Sequence, residues 1–284
     1  MPQSARTATV TDDLVSRYRE DGVVCHHGAF SSREMAIFEE AYQVLMDNPT
    51  YKQMELQVVG DGRFATDLTN RSEKAVEQLE RVFAETCVAD LAQACMGSTD
   101  VWFYYEQVWL KEGLARRSPW HQDASYLPVE GPHLTRLWIP LDPVPPNGNL
   151  EFIRGSHADN VLYVPSKWDP DDQTEALYTA ESMQPLPNIE GHREDWDIVS
   201  FDTGPGDVIM FHTGILHGGA ATAAGQRRRS LSLMFYGDDA QYAVRPVPEK
   251  DASMISEGLP TTPAEVVGMH PGEPFRLSYF PQLR

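Results

Sequence analysis

The sequence predicts a mainly β chain, a jelly roll behind an N-terminal α-helical layer. Three observations carry this. Helical periodicity is confined to the first third of the 284 residues. After Gly97 the chain breaks into short β-branched or aromatic runs separated by Gly, Pro and Asn. Those runs do not alternate with long helical segments, which argues against a doubly wound parallel sheet, and neither GxGxxG nor GxxxxGK[ST] occurs. One domain over 1–284 is expected, with a helical layer at about 11–96, a jelly-roll core at about 100–239, an insertion at about 158–200 and an extended tail at 240–284.

Thr11 caps a first helix through Leu14, Val15 and Tyr18, which Gly22 ends, and Val23-Val24-Cys25 reads as a strand. Ser31 and Glu34 form a capping box before Met35, Ile37, Phe38, Ala41, Tyr42 and Leu45 at helical spacing. A third helix is expected from about Ser72 to Met96, with Val76, Leu79, Val82, Phe83, Val88, Leu91 and Cys95 on its apolar face. The strands expected next are Val101–Trp109, Leu134–Leu141, Leu150–Ile153, Val208–Phe211 and Ser230–Tyr236. The acidic stretch 158–200 carries Tyr163, Trp168, Tyr178 and Trp196; it is assigned as a lid, against a lobe packed over a sheet edge. The Pro-rich tail reads as wrapping segments.

Composition sets outer limits. The formal net charge is −19, and the only dense basic run is Arg227-Arg228-Arg229, which argues against nucleic-acid and anionic-membrane partners. No window has the length of apolar sequence that spans a bilayer, and Met1 to Asp13 lacks an apolar signal core. Cys25, Cys87 and Cys95 show no CxxC spacing and are odd in number, which fits free thiols in the cytoplasm.

The chemistry gathers in a few places. Two His-x-Asp triplets occur, His121-Gln122-Asp123 and His157-Ala158-Asp159. Residues two apart on a strand share a face, so such a triplet offers an imidazole and a carboxylate to one ion. A distant histidine would complete the two-His, one-carboxylate set that leaves one face of an octahedral iron open. The first triplet sits in strand-rich sequence; the second follows Gly155-Ser156 at the exit of a strand, and His157 reads as a turn or packing residue. His212 and His217 both follow the Val208–Phe211 strand, and Gly218-Gly219 after His217 leaves room for other groups to approach. On a strand Arg228–Phe235, Arg228, Ser230, Ser232 and Met234 share a small, polar face suited to a ligand cavity, while Arg229, Leu231, Leu233 and Phe235 face the body of the protein. A guanidinium on the inner face requires an anion, best a carboxylate held by two hydrogen bonds. Tyr104, Trp109 and Tyr126 lie near the first triplet as an aromatic wall or as core.

Trp120-His121-Gln122-Asp123, Asn147-Gly148-x-Leu150 with Gly155-Ser156-His157, and Gly206-Asp207 with His217 and Arg228 resemble the phytanoyl-CoA dioxygenase family of iron(II)/2-oxoglutarate oxygenases, over about Asp12 to Asp239. The resemblance implies a cupin-like double-stranded β-helix with His121, Asp123 and His217 on Fe(II), and Arg228 on the distal carboxylate of 2-oxoglutarate. It also implies that Gln107, Lys111 and Trp138 line the cosubstrate pocket. The family often has Ser at the position of Gly219; Ser230 or Thr135 is expected to replace it. Arg154 stands where Pro commonly precedes Gly-Ser-His, and is read either as an anchor for an acidic substrate group or as an Arg paired with one of many surface carboxylates. The implied reaction uses O2 to hydroxylate a C–H of a small polar metabolite, cationic or zwitterionic by preference, releasing succinate and CO2. A carboxylate at Asp123 argues against a halogenase, which needs that position open. The alternatives are a non-oxidative metal-dependent hydrolase or isomerase, and a catalytically silent binding module.

Overall fold

The computed structural model describes residues 10–51, 53–166, 175–177, 180–245 and 268–284. The chain opens with α1 (Asp12–Asp21), whose first turn is capped by the Thr11 hydroxyl accepting from the Leu14 amide at 3.2 Å. It ends at Gly22, which takes φ of 77°. That glycine has a second reason to lack a side chain, because a Cβ there would lie 2.4 Å from the His157 ring. Next come β1 (Val23–His26) and α2 (Ser32–Asp47), whose capping box between Ser31 and Glu34 is present as expected.

The helix expected over 72–96 is instead two, α3 (Glu73–Glu85) and α4 (Val88–Met96). Thr86 between them is extended, and the Cys87 amide donates to the buried Glu34 carboxylate at 3.2 Å. The capping glutamate of α2 thus captures an amide that a continuous helix would have kept.

The region assigned to helices also holds a hairpin, β2 (Met54–Val59) and β3 (Gly62–Leu68), turning at Gly60-Asp61. The remaining strands are β4 (Trp102–Glu112), β5 (Ser118–His121), β6 (Val129–Glu130), β7 (Leu134–Pro140), β8 (Leu150–Ile153), β9 (Ile198–Ser200), β10 (Val208–His212), β11 (His217–Gly219), β12 (Arg227–Tyr236) and β13 (Gln241–Tyr242). All are antiparallel. A seven-stranded sheet runs β1-β10-β7-β12-β4-β3-β2 and a four-stranded sheet runs β5-β11-β8-β9, while β6 and β13 form a separate pair. Two facing sheets whose neighbours are remote in sequence are the expected jelly roll.

Strand alternation splits the large sheet into two faces. Leu137, Ile139, Met210, Leu231, Leu233 and Phe235 pack against α1–α4 in the main core. The alternate residues Arg136, Trp138, Phe211, Arg228, Ser230 and Ser232 face the four-stranded sheet and line a cavity. The described tail residues wrap as expected: Leu283 and Phe103 pair with Val101 and Pro281 through the backbone, and Phe275 and Phe280 complete a second core around Tyr104 and Tyr236.

In the 158–200 segment, Trp168 and Tyr178 lie outside the described residues. Tyr163, Leu186, Ile189 and Trp196 pack on Trp120 and Leu216, and Arg193 bonds Glu151 at 2.7 Å. Among the described residues, no helix is long and apolar enough to cross a membrane.

His157 is a packing residue. Its Nε2 lies 3.1 Å from the Arg19 carbonyl, and its ring centroid lies 5.3 Å from that of His212. Burial lowers the pKa of His157, and burial together with the neighbouring His157 pushes His212 down to about 4. The folded value lies below the unfolded one of about 6.5, so the unfolded chain takes up protons first, and stability falls as pH drops from about 6.5 toward 4. His212→Gln should therefore flatten this acid sensitivity: between pH 7 and 5 the wild type should lose about 2 kcal/mol more than the variant in denaturant unfolding. Equal losses would show that His212 does not carry the effect.

Candidate active site

A small cavity lies between the sheets. At one side His121, Asp123 and His217 each point a ligand atom inward, all within 4.8 Å of one another. β5 and β11 pair with His121 directly opposite His217, so the two imidazoles start from one rung of the ladder. Their ring centroids are 4.2 Å apart.

Asp123 arrives differently from the expectation. It does not share a strand face with His121, because β5 ends at His121 and Asp123 opens a 3-10 turn, Asp123–Ser125. The turn is tied down on both sides. The Gln122 amide donates to the Val161 and Gly214 carbonyls at 2.9 and 2.7 Å, and the Ala124 amide donates to the Thr213 carbonyl at 2.9 Å.

Each histidine uses Nδ1 on a backbone carbonyl, His121 on Pro119 at 2.9 Å and His217 on Ile215 at 3.1 Å. That fixes the tautomer and turns both Nε2 atoms toward the position an ion would take. These lie 3.8 and 4.0 Å from Asp123 Oδ1. Burial and neighbouring charge push His217 down to about 3 and lower His121 as well, so both rings are neutral donors. Burial alone would raise the Asp123 carboxyl, but Arg136, His217 and His121 together hold it below the ordinary carboxylate range. Two neutral imidazoles and one carboxylate oxygen converging from one side are the donor set that iron(II) takes while keeping its opposite face open.

Across the cavity, Arg228 is 6% exposed. Its guanidinium donates to the Gly148 carbonyl, and among the described residues no carboxylate forms an ion pair with it. Burial, with Arg117 nearby, pushes its pKa down to about 10. Lys111 lies in the same end of the cavity, donating to the Arg116 and Ala220 carbonyls at 2.8 and 3.2 Å and sitting 4.2 Å over the Phe64 ring. Burial and Arg228 hold its pKa well below the usual lysine range. A buried guanidinium without an acid beside a buried ammonium is costly unless an anion joins them.

Of the residues read from the sequence, Gln107, Lys111, Trp138, Trp109, Arg228 and Ser230 all line this cavity. Three expected positions are corrected. Thr135 faces the helical layer, with its hydroxyl 3.5 Å from the Phe211 carbonyl, because odd and even residues of β7 take opposite faces. Tyr104 is buried in the second core against Phe275 and Phe280. Arg154 is exposed and pairs with Asp21 and Asp197, each at 3.0 Å, outside the cavity. Tyr126 stands beside His121, ring centroids 6.3 Å apart, without lining the cavity.

The structure also brings in Ser118 and Arg136, which sequence reasoning missed. Ser118 pairs with Gly219 across the strands, and a Cβ on Gly219 would meet the Ser118 hydroxyl at 3.0 Å and the Arg228 guanidinium at 3.1 Å. The serine hydroxyl therefore comes from the opposite strand. Arg136 sits two residues before Trp138, and the same alternation that turns Trp138 inward turns it inward too.

Residues 18–230 match the family model of phytanoyl-CoA dioxygenase. The chain is 24% identical over 243 residues to ectoine dioxygenase of Stutzerimonas stutzeri (strain A1501), covering 80% of this chain and 77% of that one. Among solved structures it is similar to SnoN, the non-heme alpha ketoglutarate dependent epimerase of nogalamycin biosynthesis, with a TM-score of 0.68 and 21% identity over 96% of this chain and 98% of that one. It is also similar to EctD from S. alaskensis with 2-oxoglutarate and 5-hydroxyectoine, with a TM-score of 0.59 and 20% identity over 87% of this chain and 84% of that one. With three quarters of its length matched by the family model, and with the donor set and anion-seeking cations that the chemistry needs, the chain belongs to the phytanoyl-CoA dioxygenase family and is an oxygenase that depends on Fe(II) and 2-oxoglutarate.

Proposed function

We propose that this oxygenase hydroxylates a C–H of a small polar metabolite, with conversion of 2-oxoglutarate to succinate and CO2. The observation that carries the reading is one cavity holding a His-Asp-His donor set on one wall and, on the other, a buried Arg228 with no carboxylate partner among the described residues. His121, Asp123 and His217 hold iron, which supplies O2 activation and C–H oxidation when bound. Arg228 and Lys111, with the hydroxyls of Ser118 and Ser230, hold the distal carboxylate of 2-oxoglutarate. That fixes the 2-oxo acid end toward the three ligands. Trp109, Trp138 and Phe211 keep water from the reacting carbon.

A CoA thioester would need a basic approach for its phosphates, and the −19 chain offers none. A preference for a cationic or zwitterionic metabolite would arise at the surface, because Asp123 is the one carboxylate among the cavity-lining residues. The thiols of Cys25, Cys87 and Cys95 are free, which supports a cytoplasmic setting.

Three measurements test the reading. Anaerobic protein with Fe(II) and 2-oxoglutarate should show a visible charge-transfer band that Asp123→Ala abolishes; a band that survives unchanged would remove Asp123 from the ligand set. Arg228→Met should weaken 2-oxoglutarate binding about 10- to 100-fold. The same change should raise the Tm of the cosubstrate-free protein, because it removes a buried charge with no counter-ion. A lower Tm with unchanged binding would make Arg228 a structural residue. Finally, once succinate release identifies a cationic substrate, added salt should lower its kcat/KM; a flat salt profile would eliminate steering by the acidic surface.

A further inference from the structure

The Asp123 carboxylate has two oxygens, and the structure gives them different neighbours. Oδ1 faces the Nε2 atoms of His121 and His217, at 3.8 and 4.0 Å. Oδ2 points the other way and forms an ion pair with Nε of Arg136 at 2.8 Å, close in distance but without hydrogen-bond alignment, so the hold is one of charge. We infer that Arg136 is a positioning residue that reserves Oδ2, so that Asp123 offers the metal one oxygen and never two. The inference rests on the reading of His121, Asp123 and His217 as the iron ligands.

Arg136 is itself held on all sides. It is 4% exposed. Nη1 donates to Gln107 Oε1 and Ser232 Oγ, each at 3.1 Å, and Nη2 donates to the Tyr105 hydroxyl. Its guanidinium carbon lies 4.9 Å from the centre of the Tyr105 ring. These partners come from β12, which pairs directly with β7, and from β4, the next strand beyond it in the large sheet. The guanidinium is therefore fixed by the sheet, and the turn that carries Asp123 docks onto it.

The consequence is a matter of counting positions. Three protein donors and a chelating 2-oxo acid leave one position of an octahedron open. A carboxylate that turned to bind through both oxygens would fill it, or would displace one end of the cosubstrate. An ion pair to Oδ2 opposes that turn, because it would strand a buried guanidinium. The same cation draws charge from the carboxylate and makes it a weaker donor. Arg136 thus gives up some iron affinity and keeps room for the cosubstrate.

This predicts a split that a general structural role would not produce. In Arg136→Gln, anaerobic Fe(II) binding should be retained or tightened. 2-Oxoglutarate affinity should fall by about tenfold or more, and the charge-transfer band should shift. Arg136→Lys keeps a cation at Oδ2 and should restore most of the cosubstrate affinity. Ser232→Ala removes one support of the guanidinium, keeps the fold, and should move 2-oxoglutarate affinity in the same direction by less. Loss of iron and cosubstrate affinity together with a lowered Tm would make Arg136 a packing residue and overturn the inference. So would an unchanged band and unchanged affinities in Arg136→Gln. If Arg136→Gln fails to fold, unchanged cosubstrate affinity in both Arg136→Lys and Ser232→Ala overturns it. Absence of the band in the wild type would instead overturn the iron assignment, and this inference with it.

Discussion

The pairing of β5 with β11 is the constraint on which the rest of the site depends. It is a short ladder, four residues against three, with a register shift between His217 and Gly219. A slip by one residue would turn His217 to the outer face and leave His121 alone. What holds the register lies outside the two strands. β8 pairs with the other edge of β11, matching His217 to Phe152, while Gln122 locks the end of β5 to the 161–163 and 214 backbones. The two glycines after His217 let Ser118 and Trp120 close over β11, since a Cβ on Gly218 would lie 3.2 Å from the Ser118 carbonyl. The helices and the tail contribute at a distance, by keeping the large sheet in place opposite this ladder.

The large sheet supplies charge in an ordered way. Its inward positions carry Arg228 and Lys111 at one end and Arg136 further along, with Ser230, Ser232 and Gln107 between. Arg136 has its anion within the protein, in Asp123. Among the described residues Arg228 and Lys111 have carbonyl oxygens, and Lys111 also the Phe64 ring, but no carboxylate, and each lies close enough to another cation for its charge to be disfavoured. In the proposed reading one cation serves the ligand set and two serve a molecule that comes from outside, and alternation along β4, β7 and β12 keeps the three on one face.

The sequence carried more of this than its low periodicity suggests, and its silences have physical causes. The core strands were readable because β-branched and aromatic runs are bounded by turn residues. The ligand residues were readable because a His-x-Asp, a distant His-Gly-Gly and an inward Arg228 keep their order. The β2–β3 hairpin was missed although Met54-Glu55-Leu56-Gln57-Val58 alternates apolar and polar residues at the strand period, because it interrupts a region otherwise read as helical. The break between α3 and α4 depends on Glu34 reaching Cys87, 53 positions away, which no local pattern reports. Asp123 was placed with His121 for the wrong reason: the strand stops between them, and the turn is set by contacts to Thr213 and Gly214. Arg136 was passed over beside Trp138 although the same period-two argument covers both. Thr135 was chosen for its hydroxyl when its parity excludes it.

Stability and cosubstrate binding are coupled by the same residues. In the cosubstrate-free protein, burial of Arg228 beside Lys111 works against the fold, since among the described residues the desolvation of each is offset by carbonyl dipoles and, for Lys111, the Phe64 ring, without a counter-charge. A dicarboxylate entering the cavity supplies the missing anion where water cannot screen it, so the gain is larger than the same contact would give at the surface. Any ligand that binds only the folded state also stabilises it by mass action. The −19 surface sharpens the distinction. A surface of that charge would slow the approach of a dianion without weakening contacts made inside, where low-dielectric walls separate the cavity cations from the outer carboxylates. Recognition of the anion is therefore a property of the inner face of one sheet, independent of the charge that the rest of the molecule presents to solvent.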